Sequence, residues 1–288
     1  TFFHLSNHLT LIEYAAFYGS IQIFKYLEMN GVELTQSLWE FAIHSDNPEL
    51  ISHLEEKLDR LEDDSIEDLF IKSIECHHND IANYINKNYR KEPNKISTEH
   101  LIKSLEYYNF LFIDNLKFNS SLFHDWCKFD YCCFIEEFMK TKKVDVNKLK
   151  SIDLKNNKDG MKTFEEKKSA LHFAIGNNNF ETVKLLLTNN EIDVNLESFI
   201  RDDSSKFAFF YELNEWEEWG KNVIKNITPL IFAIEKGYND IIKLLLSSRN
   251  IDINHKCYFY REVLLDGGYD YVYVQPIYAA IKYQNVEI

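Results

Sequence analysis

The residues able to do chemistry are few and scattered. His124-x-x-Cys127, followed by Cys132-Cys133, is the nearest approach to a metal site, because imidazole and thiolate at short spacing are ordinary zinc ligands. Zinc sites use paired ligands with a regular spacer, however, and adjacent cysteines rarely share one ion. The pattern fits better a helix pair with buried thiols, where free cysteine packs as a small hydrophobe. His77-His78 falls where two helices should join, and a solvated turn accounts for it. A cysteine and a histidine could make a nucleophile and its base, but nothing sets His172 or His124 beside a particular cysteine. P-loop, G-x-G-x-x-G, G-x-S-x-G and H-E-x-x-H patterns are all absent from the 288 residues. No catalytic residue, metal ligand or cofactor is assigned, and an enzyme is not expected.

What the sequence does offer is the chemistry of a binding surface. In the stretch FAFFYELNEWEEWG, Phe209, Tyr211, Trp216 and Trp219 lie among Glu212, Glu215, Glu217 and Glu218. Aromatic faces ringed by acids suit the basic or aromatic side chains of a protein partner, including Arg or Lys held over an indole. The same residues could instead fold back onto the rest of the chain as an amphipathic helix, and the sequence leaves both open. Tyr269, Tyr271 and Tyr273 alternate, so they share one face of a strand. They would cover a sheet or face a partner.

Two stretches indicate what must position these residues. In ITPLIFAIEKGYNDIIKLLLSSRNIDIN, from Ile227 to Asn254, Thr228 is an N-cap and Pro229 occupies the first helical position. Leu230, Ala233 and Ile234 share a face, and Gly237 can take the left-handed conformation that ends a helix. Asn239-Asp240 then opens a second helix too apolar to stand alone. KSALHFAIGNNNFETVKLLLTNNEIDVN, from Lys168 to Asn195, repeats the pattern. Ser169 stands for Thr228, Ala174 for Ala233, Asn178 for Gly237, and Asn195 for Asn254.

This double match resembles the ankyrin repeat, with its TPLH-like helix start, small residue, glycine turn, KLLL second helix and D-V-N exit. Further copies can be traced at 10–31, 37–54, 65–85, 98–116 and 122–147. A last one starts at Pro276 and stops inside its second helix. The resemblance implies an all-α solenoid of stacked helix pairs, with β-hairpin-like fingers inserted in the C-terminal half. It divides the chain into divergent repeats at 1–147, a polar exposed loop at 148–168, and repeats at 169–288 with insertions at 196–226 and 257–273. By the same resemblance His172 is structural, its ring hydrogen-bonded to backbone groups of its own or the next repeat. The implied function is a non-catalytic scaffold or adaptor that holds a protein partner against its fingers and concave face. The alternative is the recognition arm of a larger protein of channel, ubiquitin-system or kinase type.

Composition agrees with a binding role and narrows the partner. The formal net charge is −14, the wrong sign for binding phosphate backbones, so no nucleic acid is expected and a basic protein partner is allowed. No run is long enough for membrane insertion. Five cysteines, odd in number and irregularly spaced, fit reduced thiols and an intracellular, cytoplasmic setting.

Overall fold

Among the described residues the helix pairs bend at a left-handed residue, and a side-chain cap opens four of their first helices. The computed structural model describes residues 9–58, 61–93, 95–113, 122–141, 145–152, 166–202, 223–263 and 268–282. Thr10 accepts the Glu13 N–H, while Glu13 accepts the Thr10 N–H at 2.8 Å, a reciprocal cap. Asn47 caps a helix whose first residue is Pro48; Ser97, Ser169 and Thr228 cap three others. The bends lie at Gly19, Asp46, His77, Tyr108, Asp130, Asn178 and Gly237, all with φ between 54° and 72°. Each stands four positions after a buried residue: Ala15, Ala42, Ser73, Ser104, Trp126, Ala174 and Ala233. At six of the seven bends the N–H after the left-handed residue bonds back to that buried residue's carbonyl, as Asn179 does to Ala174 at 3.0 Å and Tyr238 to Ala233 at 3.2 Å. This closes the helix end with its orphan carbonyls satisfied. Trp126 fills a place that alanine or serine fills elsewhere, and the rings of Phe134 and Phe138 pack beside it at 5.9 and 5.3 Å.

By contact the chain divides into two compact units, Thr1–Lys117 and Phe118–Ile288. In the first, α1 (Leu11–Phe17) pairs with α2 (Ile21–Met29), α3 (Leu38–Ser45) with α4 (Pro48–Lys57), and α5 (Asp63–Glu75) with α6 (Asn79–Asn88). Next come α7 (Thr98–Glu106) and a 3-10 turn at Phe110–Ile113. The first helices α1, α3, α5 and α7 pack in succession, burying Ala16, Phe24, Leu38, Ile43, Leu50, Leu54, Phe70 and Ile74 completely. Helix α5 begins at Asp63, before the copy traced from residue 65. Asp63 and Asp64 at the positive end of the helix dipole carry the start two residues back.

In the second unit α8 (Phe123–Lys128), α10 (Ala170–Gly176), α12 (Pro229–Lys236) and α14 (Pro276–Lys282) are the first helices. Their partners are α9 (Cys132–Thr141), α11 (Phe180–Leu186) and α13 (Asn239–Leu246). Six strands join one antiparallel sheet in chain order: β1 (Lys150–Ile152), β2 (Glu166–Lys168), β3 (Ser198–Asp202), β4 (Val223–Ile227), β5 (Cys257–Val263) and β6 (Gly268–Val274). This corrects two expectations. The all-α class with separate fingers gives way to helix pairs plus one continuous sheet, and the loop at 148–168 carries paired strands at both ends. The physical reason is backbone satisfaction, since neighbouring hairpin edges present unpaired N–H and C=O groups that bond to each other.

Along the sheet Ser198, Ile200, Lys225, Ile227, Cys257 and Val274 are buried, whereas Phe199, Asn226, Tyr258 and Tyr273 are partly or largely exposed. One face therefore lies against the helices and the other faces outward.

The bends make a direct prediction. At Gly237 φ is +72° and an added methyl meets nothing within 4 Å, so Gly237→Ala tests backbone strain alone. It should destabilise the protein by about 1 kcal/mol in urea unfolding, with Asn178→Gly moving the other way. An unchanged midpoint in both variants would remove the left-handed turns from the energetics.

Candidate functional site

His172 sits at the junction of helix, finger and next repeat. Its Nε2 donates to the Ile227 carbonyl at 3.0 Å. That leaves Nδ1 as the acceptor for the Ser169 and Ser198 hydroxyls, each at 2.8 Å. The Ser198 oxygen in turn accepts the Ser169 N–H at 3.0 Å. Burial drives the imidazole pKa down to about 3, against a weaker upward pull from its hydrogen bonds to the Ile227 and Thr228 backbone. The ring is a neutral structural link. His124 does the same work two helices earlier, with Nε2 2.7 Å from the Lys148 oxygen.

The D-x-N exits form a second set of ties. Asn147 donates to the Glu191 carbonyl at 2.7 Å and accepts the Asp193 N–H at 2.8 Å. Asn195 repeats this with the Asn250 carbonyl and the Asp252 N–H at 2.7 and 2.9 Å. Within each exit the Asp carboxylate accepts the N–H of the Asn two residues on, so Asp252 holds Asn254 at 2.9 Å. Thr228, Pro229, Ala233 and Gly237 fill the cap, first-turn, small and bend positions of α12, and Pro276 opens α14.

The outward face of the sheet carries an aromatic pair. Tyr258 and Tyr273 are cross-strand partners with ring centroids 4.7 Å apart, and both are exposed. Tyr271 and Tyr269 pair in register with Tyr260 and Glu262. Tyr258 was not singled out from sequence, because its value depends on the strand register. Phe209, Tyr211, Glu212, Glu215, Trp216, Glu217, Glu218 and Trp219 lie outside the described residues.

Between the first two strands and helices α8, α10 and α12 runs a groove of about 480 Å³. Lys128, Lys150, Lys168 and Lys236 line it, with Ile152, Phe173 and Phe232. Lys150 meets the buried Asp125 carboxylate at 2.6 Å, and Lys168 meets Glu166 at 3.0 Å. Lys128 and Lys236 have no carboxylate partner among the described residues, and they lie over the Phe129 and Phe232 rings at 4.7 and 5.5 Å. No signal in the sequence groups these four lysines, which are spread over more than a hundred positions.

His124, Cys127, Cys132 and Cys133 do not converge on a common point among the described residues. Cys127 is fully buried, where desolvation holds its thiol well above the ordinary value. Cys132 turns to Thr182 at 3.4 Å, and Cys133 is exposed. His77 and His78 do more than occupy a solvated turn: their Nε2 atoms reach the Tyr107 and His44 oxygens at 2.7 and 3.2 Å.

The His172 network predicts a pH dependence. The folded pKa of about 3 lies below the ordinary 6.5, so the native state binds fewer protons between these values. Stability is present above 6.5 and falls as pH falls through the window, by up to about 1.4 kcal/mol per pH unit from this ring. Urea unfolding of His172→Gln across that window should show a flatter pH slope than the parent. Equal slopes would mean that the ring titrates freely in the fold.

No helix among the described residues is long and apolar enough to cross a membrane. No curated protein matches the chain significantly. A family model described as ankyrin repeats matches residues 123–257 in three copies, spanning α8 to the first residue of β5. Ankyrin repeats are typically non-catalytic modules that mediate protein–protein interaction. Over residues 123–257, with their caps, left-handed bends and D-x-N ties, the chain carries ankyrin repeats.

Proposed function

We propose that the chain is a non-catalytic scaffold or adaptor whose stacked repeats form a solenoid, and that its lysine-lined groove holds an acidic segment of a protein partner. The carrying observation is a segregation of charge. The protein has a net charge of −14, yet four lysines converge on one groove, two of them without carboxylate partners among the described residues. Like charges gathered against the overall balance favour an opposite charge across an interface and speed its approach. Phe173 and Phe232 supply apolar wall between the ammonium groups, a mixture suited to an acidic peptide with interspersed apolar side chains. The Tyr258–Tyr273 pair on the outward sheet face offers a second, aromatic contact. The expectation of a basic partner rests on the net charge and on the 207–220 stretch, which lies outside the described residues.

A short fluorescent peptide alternating Glu with Leu and Phe, and its Lys counterpart, test the groove by anisotropy. The acidic peptide should bind, more weakly as salt rises. Lys128→Glu with Lys236→Glu should weaken it by about tenfold, roughly 1.4 kcal/mol, with circular dichroism unchanged. Equal binding of both peptides, or indifference to the double substitution, would sink the groove assignment.

A further inference from the structure

We propose that Glu197, His255 and Cys257 form a binding site for a zinc-type divalent cation at the base of the fingers. The three side chains offer a carboxylate oxygen, an imidazole nitrogen and a thiol sulfur within 4.8 Å of one another. They come from successive repeats. Glu197 lies between the Asp193-Val194-Asn195 exit and β3, while His255 and Cys257 follow Asp252-Ile253-Asn254 and lead into β5. A cation here would staple two repeats together.

The surroundings have the character of a ligand shell. His255 Nε2 is 2.7 Å from Glu197 Oε1, and its Nδ1 is 3.7 Å from Asp252 Oδ2. A carboxylate behind the second ring nitrogen is the usual way a ligating histidine is oriented. Glu197 Oε2 accepts from the Asn226 side-chain amide, and Cys257 Sγ accepts the Thr228 N–H at 3.3 Å. Beside this cluster the Asn226 Oδ1 is buried and without a hydrogen-bond partner, an acceptor that a cation or its bound water would satisfy. A mixed sulfur, nitrogen and oxygen set fits Zn²⁺ better than the all-oxygen preference of Ca²⁺ or Mg²⁺.

The preceding repeat shows that the fold itself does not require this set. In register with Asp252-Ile253-Asn254-His255-Lys256-Cys257 stands Asp193-Val194-Asn195-Leu196-Glu197-Ser198. The same turn is made there with Leu196 in the place of His255 and Ser198 in the place of Cys257. Ser198 Oγ accepts the Ser169 N–H at 3.0 Å, as Cys257 Sγ accepts that of Thr228. Histidine and thiol are therefore additions to a turn that closes without them. On binding, the thiol proton leaves to solvent and the thiolate takes the ion. The neutral imidazole carries its proton on Nδ1, facing Asp252, and gives its Nε2 lone pair to the ion. Glu197 binds as the carboxylate, and no oxidation is involved.

The test is titration of the metal-free chain with Co²⁺. Stoichiometric binding is expected, with a thiolate-to-cobalt charge-transfer band and the visible bands of a four-coordinate ion. Zn²⁺ should abolish both and raise the unfolding temperature. Cys257→Ser and His255→Leu install the residues of the preceding turn, so both should keep the parent's circular dichroism. Cys257→Ser should lose the charge-transfer band, and His255→Leu should bind Co²⁺ at least about tenfold more weakly. Absence of the band in the parent overturns the site. So does a band that survives Cys257→Ser, which would place the ion on another cysteine.

Discussion

The structure depends on satisfying the carbonyl groups that each first helix leaves open at its end. Short helices of six to thirteen residues expose a large share of their backbone at the termini. The left-handed bend recovers part of it within the repeat, and the next repeat recovers more. Asn47 donates to the Gly19 carbonyl, Asn109 to that of Ile74, and Asn179 to those of Cys127 and Lys128, all at 2.9 Å. In each case the donor follows the left-handed residue of its own repeat. One backbone conformation thus turns the chain and also aims the side chain that holds the neighbour. Stability of this kind is shared between adjacent repeats.

In the second unit the same logic extends to the other ends of the helix pairs. His172 bridges from its own cap to Ile227 on β4. The exit asparagines bridge successive exit loops, and the six-stranded sheet bridges successive hairpins through continuous pairing. Neutral imidazole is needed for the first of these ties, and burial keeps it neutral. The groove lysines line the space beside these ties, and the Tyr258–Tyr273 pair lies on the other, outward face of the sheet.

Charge and its placement are separate properties. A net charge of −14 describes the average surface. The groove has the opposite local sign. Salt bridges to Asp125 and Glu166 hold two of its lysines in place, and aromatic rings lie beneath the other two. The local potential follows from the local arrangement, because the field of exposed charges decays within about a Debye length, roughly 8 Å at physiological salt.

By itself the sequence determined the helix pairs of its best repeats. Caps such as Thr228-Pro229, bends such as Gly237 and Asn178, and the D-x-N exits are local, so residues a few positions apart carry the whole signal. It was less legible where the local pattern is overwritten: Trp126 in an alanine place, Tyr108 and His77 at left-handed bends, and a polar stretch whose ends became β1 and β2. Only the tertiary structure decided what lies together across repeats. The joining of hairpins into one sheet, the Tyr258–Tyr273 pair, the four-lysine groove and the Glu197–His255–Cys257 cluster all depend on strand register and repeat stacking. Those are set by hydrogen bonds and packing between residues tens of positions apart, and no spacing along the chain records them.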